Sequence, residues 1–187
     1  MRSAFQWGID HFSCSSALVW RESLGADATQ ADAWLLCERG DWLMWQIVNG
    51  LTRGEQQAIL PALFRATDVS VDRVVRAYCS GHSSILVSVW ARRWLSGENR
   101  SVVAAATALS KANGEALWAV RAAEARADAA RVAWELRAPG RSAAEFMELV
   151  LVKLTEALSD ARLADAAESL QQASDIRREI STWPGEI

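Results

Sequence analysis

Short apolar stretches alternate with residues that start or end helices throughout the first hundred positions. The apolar residues recur every three or four positions, which is the period of an amphipathic helix. Gly40 and Asn49-Gly50 are typical helix ends, and Thr52-Arg53-Gly54-Glu55 has the spacing of a capping box. Pro61 is expected to kink the helix behind Thr52, and Ser70 to start another one. This pattern predicts a compact bundle of short helices.

The segment from Ile85 to Leu95 is rich in β-branched residues, so a strand competes with a helix there. Trp90 and Trp94 lie one helical turn apart, however, and Arg92 and Arg93 would fall on another side of such a helix. We therefore predict a helix for this segment as well.

The stretch from Ser101 to Arg137 reads as one long helix, in which only Gly114 is unfavourable. Small residues with heptad spacing form a seam that permits close approach of a second helix: Trp118, Ala122, Ala125, Ala129, Val132 and Leu136. Pro139-Gly140 ends this helix, and Ser142 and Glu145 have the spacing of a second capping box.

A second heptad seam follows the second capping box and comprises Leu163, Ala166, Leu170, Ala173, Arg177 and Ile180. Together the two seams predict a long antiparallel helical hairpin. The second seam pairs either within the hairpin, which we favour, or with a second chain in a homodimer.

The predicted fold is therefore all-α, with a Trp-rich bundle of short helices over residues 1–100 and the helical hairpin over residues 101–187. We expect the two parts to form one continuous domain. The chain has 187 residues, of which 51% are hydrophobic and 23% charged. A chain of this size buries about 70% of its unfolded surface, which argues against global disorder.

The net charge and the cysteine content indicate which ligands and which cellular compartment to expect. The net charge is −3, so direct binding to nucleic acid is not favoured by the chain as a whole. No long apolar run is present, and the first residues lack the apolar stretch of a signal peptide. The three cysteines are widely spaced and odd in number, which favours a reducing, cytoplasmic compartment without membrane contact.

The segment Trp34-Leu35-Leu36-Cys37-Glu38-Arg39-Gly40-Asp41-Trp42-Leu43-Met44-Trp45 contains the densest set of distinctive residues. We expect Gly40 to end one helix and Asp41 to cap the next, which makes a tight corner. Trp34, Trp42 and Trp45 would pack around this corner, with Cys37 as a small buried residue. The interpretation is structural, with an exposed recognition corner as the alternative.

This segment resembles a group of bacterial and phage helical proteins with the motif Trp-x2-Cys-x-Arg-Gly-Asp-Trp-Leu-x-Trp. In that group a Cys-x2-Ala-Leu-x-Trp element lies upstream, matched here by Cys14 to Trp20. A Trp-x2-Gly-Glu element lies downstream, matched by Trp94 to Glu98, and an alanine-rich helix follows. Members mostly lack an assigned activity, and some carry the label immunity protein. The resemblance covers roughly residues 12–136 and implies a helical fold in a bacterial or phage context, but no activity.

Two pairs of residues have the spacing of metal ligands. His11-x2-Cys14 and Cys79-x2-His82 together would supply a Cys2His2 set for zinc, either structural or in an enzyme. Core and turn positions explain the same four residues, and we favour that interpretation, with no bound cofactor. Asp10, His11 and Ser13, or a thiolate pair of Cys79 and His82, lack any flanking motif that supports nucleophilic catalysis.

The remaining candidate sites are surfaces that would contact a partner protein. Ten tryptophans exceed what a core of this size needs, and Trp and Arg are favoured interface residues. Trp90, Arg92, Arg93 and Trp94 form one basic and aromatic candidate. Asp160, Asp165, Glu168 and Asp175 form an acidic candidate that would mimic phosphates, with a solvated helix face as the alternative.

These observations lead to one functional hypothesis and two alternatives. We expect a non-enzymatic protein-binding inhibitor of the immunity or phage anti-defence type, including anti-CRISPR proteins, in the cytoplasm of a bacterial host cell. It would cover the active or nucleic-acid-binding surface of an effector, nuclease or toxin complex. The alternatives are a small zinc protein or enzyme built on His11, Cys14, Cys79 and His82, and a nucleic-acid-associated regulator.

Overall fold

The computed structural model describes residues 14–135 and 143–181, and their regular secondary structure is entirely α-helical. The all-α prediction is therefore confirmed. The described helices are α1 Cys14–Ser23, α2 Gln30–Leu36, α3 Gly40–Gly50, α4 Arg53–Tyr78, α5 Ile85–Leu95, α6 Val102–Leu109, α7 Gly114–Glu135, α8 Ala143–Ala164 and α9 Glu168–Glu179. None of them combines the length and apolar character that a membrane crossing requires. Leu136, Pro139-Gly140 and Ser142 lie outside the described residues.

Helix α4 begins where the sequence predicts but does not end there. The capping box is present: the Glu55 carboxylate accepts the Thr52 backbone N–H at 2.6 Å, and Thr52 Oγ1 accepts the Glu55 N–H. The helix then continues through Pro61, which lies on an exposed side, as far as Tyr78. The predicted new helix at Ser70 is wrong, because the Ser70 hydroxyl is buried and accepts a hydrogen bond from Gln172 instead of capping a helix.

The long helix predicted from Ser101 to Arg137 is two helices. Helix α6 ends at Leu109, and α7 begins at Gly114, whose φ of +52° lies in the left-handed region that favours glycine. Helix α7 then packs along α8, its most extensive neighbour. Ala122, Ala129 and Val132 of the predicted seam are fully buried, so the first arm of the hairpin is confirmed where it is described.

Helix α9 does not extend the hairpin as the second seam predicts. A turn at residues 165–167 separates it from α8, and α9 packs mainly on α4 and α3. Leu163 and Leu170 of the predicted seam are consequently exposed, whereas Ala173 and Ile180 are buried within the chain. The prediction failed because Asp165 turns the chain: its carboxylate and carbonyl accept the backbone N–H groups of the next residues.

Two hydrophobic clusters lie at opposite ends of the long helices α4, α7 and α8. One holds large residues of α2, α3, α8 and α9, and the other consists largely of alanines from α5, α6, α7 and α8. Two ion pairs connect α4 to its neighbours. Arg126 of α7 pairs with Asp68 at 2.7 Å, and Arg100, in the loop before α6, pairs with Asp72 at 2.8 Å. Buried Trp94 donates its indole N–H to Asp72 at 2.8 Å.

The Arg39-Gly40-Asp41 corner differs from its prediction. Helix α2 ends earlier, at Leu36, and Gly40 is the first residue of α3. Asp41 does not cap α3; instead Arg39 holds its carboxylate, with Nε donating to Oδ1 at 3.0 Å. Glycine is required for a different reason, because a Cβ on Gly40 would lie 2.5 Å from Cβ of Gln172 on α9.

Replacing Gly40 tests this contact between α3 and α9. We expect Gly40→Ala to lower the free energy of unfolding by about 1–3 kcal/mol, because the added methyl group forces the two helices apart. Gly54→Ala is the matched control: nothing lies within 4 Å of its Cβ position, so stability should stay equal or rise by up to about 1 kcal/mol. Urea unfolding followed by circular dichroism measures both, and equal stability of the two variants contradicts the assignment.

Candidate functional site

The basic and aromatic candidate on α5 is divided between the core and the surface. Trp90 and Trp94 are buried, with ring centroids 5.7 Å apart. Arg92 and Arg93 are exposed on another side of the helix. The two tryptophans therefore do not supply a partner-binding surface, because they fill the alanine-rich cluster. A four-residue spacing is compatible with burial or exposure, so the sequence did not distinguish the two.

The four acidic residues proposed as phosphate mimics do not form one surface. Glu168 and Asp175 are buried on α9, and both pair with Arg73 of α4, the second at 2.7 Å. This part of the prediction is wrong, because both charges are used inside the fold. Asp165 is half-buried in the turn before α9, and Asp160 lies in a cleft described below.

The aromatic motif forms part of the scaffold around α3. Trp34 is fully buried, and Trp42 stacks with Trp20 of α1 at a centroid distance of 5.4 Å. The Arg39 guanidinium lies 4.2 Å from the Trp42 ring centroid. Among the eight described tryptophans, Trp134 is the one that is mostly exposed, at 71%, and Trp45 is half-buried. Three of the eight are therefore buried, four are half-buried and one is exposed, so full burial accounts for fewer than half of the described tryptophans.

The Cys37 and Cys79 side chains are buried and contribute to packing. Burial raises the pKa of the Cys37 thiol to about 11 and that of Cys79 to about 12, so neither is a thiolate near neutral pH. His82 accepts the Ser84 backbone N–H on Nδ1, and its Nε2 lies 3.2 Å from the Asn113 side-chain oxygen. Cys79 and His82 are therefore each engaged elsewhere and form no thiolate pair.

The other half of the proposed zinc set is not placed. Asp10, His11 and Ser13 lie outside the described residues, and the Cys14 side chain is not described. Within residues 14–135 and 143–181, no three His, Cys, Asp or Glu side chains are arranged so that they could hold one metal ion.

A cleft of about 450 Å³ opens between α6 and α8, above the face of α7 on which both helices pack. It is lined by Val102, Leu109, Arg121, Glu124, Ala125, Asp128, Lys153, Glu156 and Asp160. The α7 residues are three or four positions apart, as are those of α8, so each set shares one face of its helix. The described chain thereby gathers six ionisable side chains from two helices.

Ion pairs across the cleft follow the antiparallel register of α7 and α8. Arg121 contacts Asp160 at 3.4 Å, and Lys153 contacts Asp128 at 3.8 Å. The pairing partners are seven residues apart on each helix and in opposite order, which is the arrangement of antiparallel helices. The carboxylates are therefore held on two helices that pack closely through alanines.

The cleft carries more negative than positive groups. Four carboxylates and two cations line the cleft, and Arg131 at its edge also pairs with Asp128 at 2.6 Å, which leaves an excess of one negative charge when all are ionised. Burial raises the pKa of Asp160 to about 6, although Arg121 acts in the opposite direction; Glu156 and Glu124 raise it further. Ionised Asp160 is therefore less favourable in the folded chain than in the unfolded chain.

The sequence contains a sign of this cleft that the spacing of charges on one helix does not reveal. The arginines of α7 lie on several sides of the helix, and Arg131 forms ion pairs with Asp128 and Glu135, as on a solvated surface. Glu124 and Asp128 share a face with Arg121, however, and Lys153, Glu156 and Asp160 repeat that spacing on α8. Only the antiparallel register brings the two sets together.

Comparisons with protein-family models, curated proteins and solved structures find no match to this chain.

Removing Arg73 tests the buried acidic pair on α9. We expect Arg73→Met to lower the free energy of unfolding by about 2–4 kcal/mol, because Glu168 and Asp175 would remain buried without their common partner. Arg65→Met is the control, since Arg65 is 60% exposed and Arg73 only 34%, and the Arg65–Glu179 pair should be worth less than about 1 kcal/mol. Chemical denaturation at pH 7 measures both, and equal losses argue against the buried assignment.

The raised pKa of Asp160 predicts a pH-dependent gain from its removal. Because its pKa of about 6 in the folded chain lies above the ordinary value of 3.8, ionised Asp160 lowers stability above pH 6, and this cost disappears as the pH falls towards 4. We expect Asp160→Asn to be more stable than the parent by up to about 3 kcal/mol at pH 8 and nearly equal at pH 4. Thermal or urea unfolding across this range measures the difference, and a constant difference contradicts the prediction.

Proposed function

We propose that this chain is a non-enzymatic binding protein that inhibits an effector, nuclease or toxin complex in the cytoplasm of a bacterial cell. It does so by covering the partner's active or nucleic-acid-binding surface, as immunity proteins and phage anti-defence proteins do. The partner is another protein, and direct binding to nucleic acid is not part of this proposal.

The excess of carboxylates in the cleft is the observation that carries the proposal. Surfaces that bind nucleic acids are lined with Lys and Arg, whose natural ligands are phosphates. Glu124 presents the same charge to those residues, together with Asp128, Glu156 and Asp160, whose charges Arg131, Lys153 and Arg121 partly neutralise. Complementary charge speeds association and selects the partner. Asp160 is the member of the predicted phosphate-mimicking set that lies in this cleft.

The rigid positions of the carboxylates support a role in binding. They stand on α7 and α8, which are packed through fully buried alanines such as Ala119, Ala122 and Ala161. A rigid site loses little conformational entropy on binding. Glu124 has no ion pair or hydrogen bond among the described residues, so its carboxylate is available to a partner.

The resemblance of the Trp34 to Trp45 segment to bacterial and phage helical proteins supports the same cellular context. Its residues build the scaffold around α3 and do not line the cleft. The motif and the cleft therefore provide separate support, the first for the setting and the second for the mode of action.

Affinity capture followed by a defined binding assay tests the proposed function. The tagged chain is incubated with extract of a phage-infected or toxin-bearing bacterium, and the partner is identified and purified. Glu124→Lys should weaken binding at least about tenfold, because it reverses a charge that faces the partner's basic surface. Glu38→Lys is the control, since Glu38 is exposed between α2 and α3 and does not line the cleft.

The same assay contains the outcomes that contradict the proposal. The partner's own nucleic acid should compete with the chain, and the partner's activity should fall as the complex forms. Absence of a stoichiometric partner, equal binding by both charge reversals, or a shift of labelled duplex DNA by the chain alone each argue against it.

A further inference from the structure

Helix α6 is a surface helix without a charged residue. Its sequence is Val-Val-Ala-Ala-Ala-Thr-Ala-Leu, and only Ala105 and Ala108 are buried. Val103 is 76% exposed, and Ala106 and Thr107 are also exposed. A surface helix ordinarily carries a polar outer face, so the outer face of α6 is suited to contact with another apolar surface.

Another side of the same helix, which carries Val102 and Leu109, forms one wall of the acidic cleft. Val102 and Leu109, at the two ends of α6, line it on one side, and Lys153, Glu156 and Asp160 of α8 line it on the other. The cleft is therefore amphipathic across its width, with an apolar wall facing a charged wall.

The dimensions of the cleft match a short stretch of helix. Val102 and Leu109 are seven residues apart, which corresponds to about 10 Å along a helix. Helices that dock in grooves use anchors at i, i+3, i+4 and i+7, which span the same length. The volume of about 450 Å³ holds a few side chains of such a helix, with its backbone above the cleft.

The rim beside the cleft offers an aromatic and cationic contact. The Arg121 guanidinium lies 5.1 Å from the ring centroid of half-buried Trp118. Trp and Arg are the residues most often found at energetic centres of interfaces. This pair would contact the partner next to the acidic groups.

We propose that the cleft between α6 and α8 binds one amphipathic basic helix of the partner protein. The apolar side of that helix lies on α6, and its Lys or Arg side chains enter the cleft towards Glu124 and Asp160. The inference rests on the proposed function, because it names the element through which the inhibited protein is recognised. Charge complementarity selects a basic segment, and the apolar wall selects an amphipathic one.

A defined peptide tests this proposal without the natural partner. The probe is a labelled, end-capped Leu/Lys peptide of about eighteen residues with Leu at the i, i+3, i+4 and i+7 positions of each pair of helical turns. The two comparison peptides are a scrambled sequence of equal composition and a version with Glu in place of Lys. Fluorescence anisotropy at moderate salt measures binding. The amphipathic basic peptide should bind at least about tenfold more tightly than either comparison peptide.

Two variants of the chain separate the apolar and the charged contributions. Val102→Ser removes apolar surface from the cleft wall without changing its charge, and binding should weaken at least about fivefold. Glu124→Lys should weaken it at least about tenfold. Val19→Ser is the matched control on α1, since Val19 is 66% exposed and α1 packs on α3, and it should leave binding unchanged.

The outcomes distinguish this inference from the proposed function. Equal binding of the scrambled peptide, or an unchanged affinity in Val102→Ser, overturns the docked helix even when a captured partner remains sensitive to Glu124→Lys. Tight binding of the acidic peptide overturns the charge assignment. Weakening by Val19→Ser equal to that by Val102→Ser also overturns the docked helix, because the effect would then not belong to this cleft.

Discussion

The close packing of α7 on α8 positions most of the other described helices. Alanines at the contact let the two backbones approach, and in this register Arg121 lies beside Asp160 and Lys153 beside Asp128. Helix α4 packs on both of these helices, while α6 packs on α7 and α3 packs on α8. A shift of one helical turn between α7 and α8 would therefore displace the neighbouring helices and separate the two walls of the cleft.

Buried charges are the second feature that shapes this molecule. Arg73 with Glu168 and Asp175 joins α9 to α4, and Arg126 with Asp68 joins α7 to α4. Such pairs add little net stability compared with apolar packing, but each one penalises arrangements that leave its members unpaired. A core made largely of alanine buries a similar area in many helix registers. The ion pairs favour one orientation of the helices, which alanines alone do not specify.

The candidate site combines features that are separated in sequence. The apolar wall comes from α6, the floor from α7 and the opposite wall from α8. The sequence identifies Asp160 as one of several acidic residues, but it does not show which residues surround it. The spacing of Glu124 places it on the same helix face as Arg121, but neither its spacing nor that of Val102 shows which helix lies opposite, because a carboxylate or a valine on a helix has many possible surroundings.

Four features could be predicted from the sequence, because helix periodicity and capping are local properties of neighbouring residues: the all-α class, the capping box at Thr52, the helix over Ile85 to Leu95 and the alanine seam of α7. Other features depend on packing between distant segments. These are the continuation of α4 past Ser70, the turn of α9 onto α3 and α4, and the close helix contact at Gly40. The burial of Trp90, Trp94, Glu168 and Asp175 depends on the same packing. The reason is physical: a helical residue's burial, and the partner of its charge, depend on which other helix packs against it, and that choice involves residues far away in the chain.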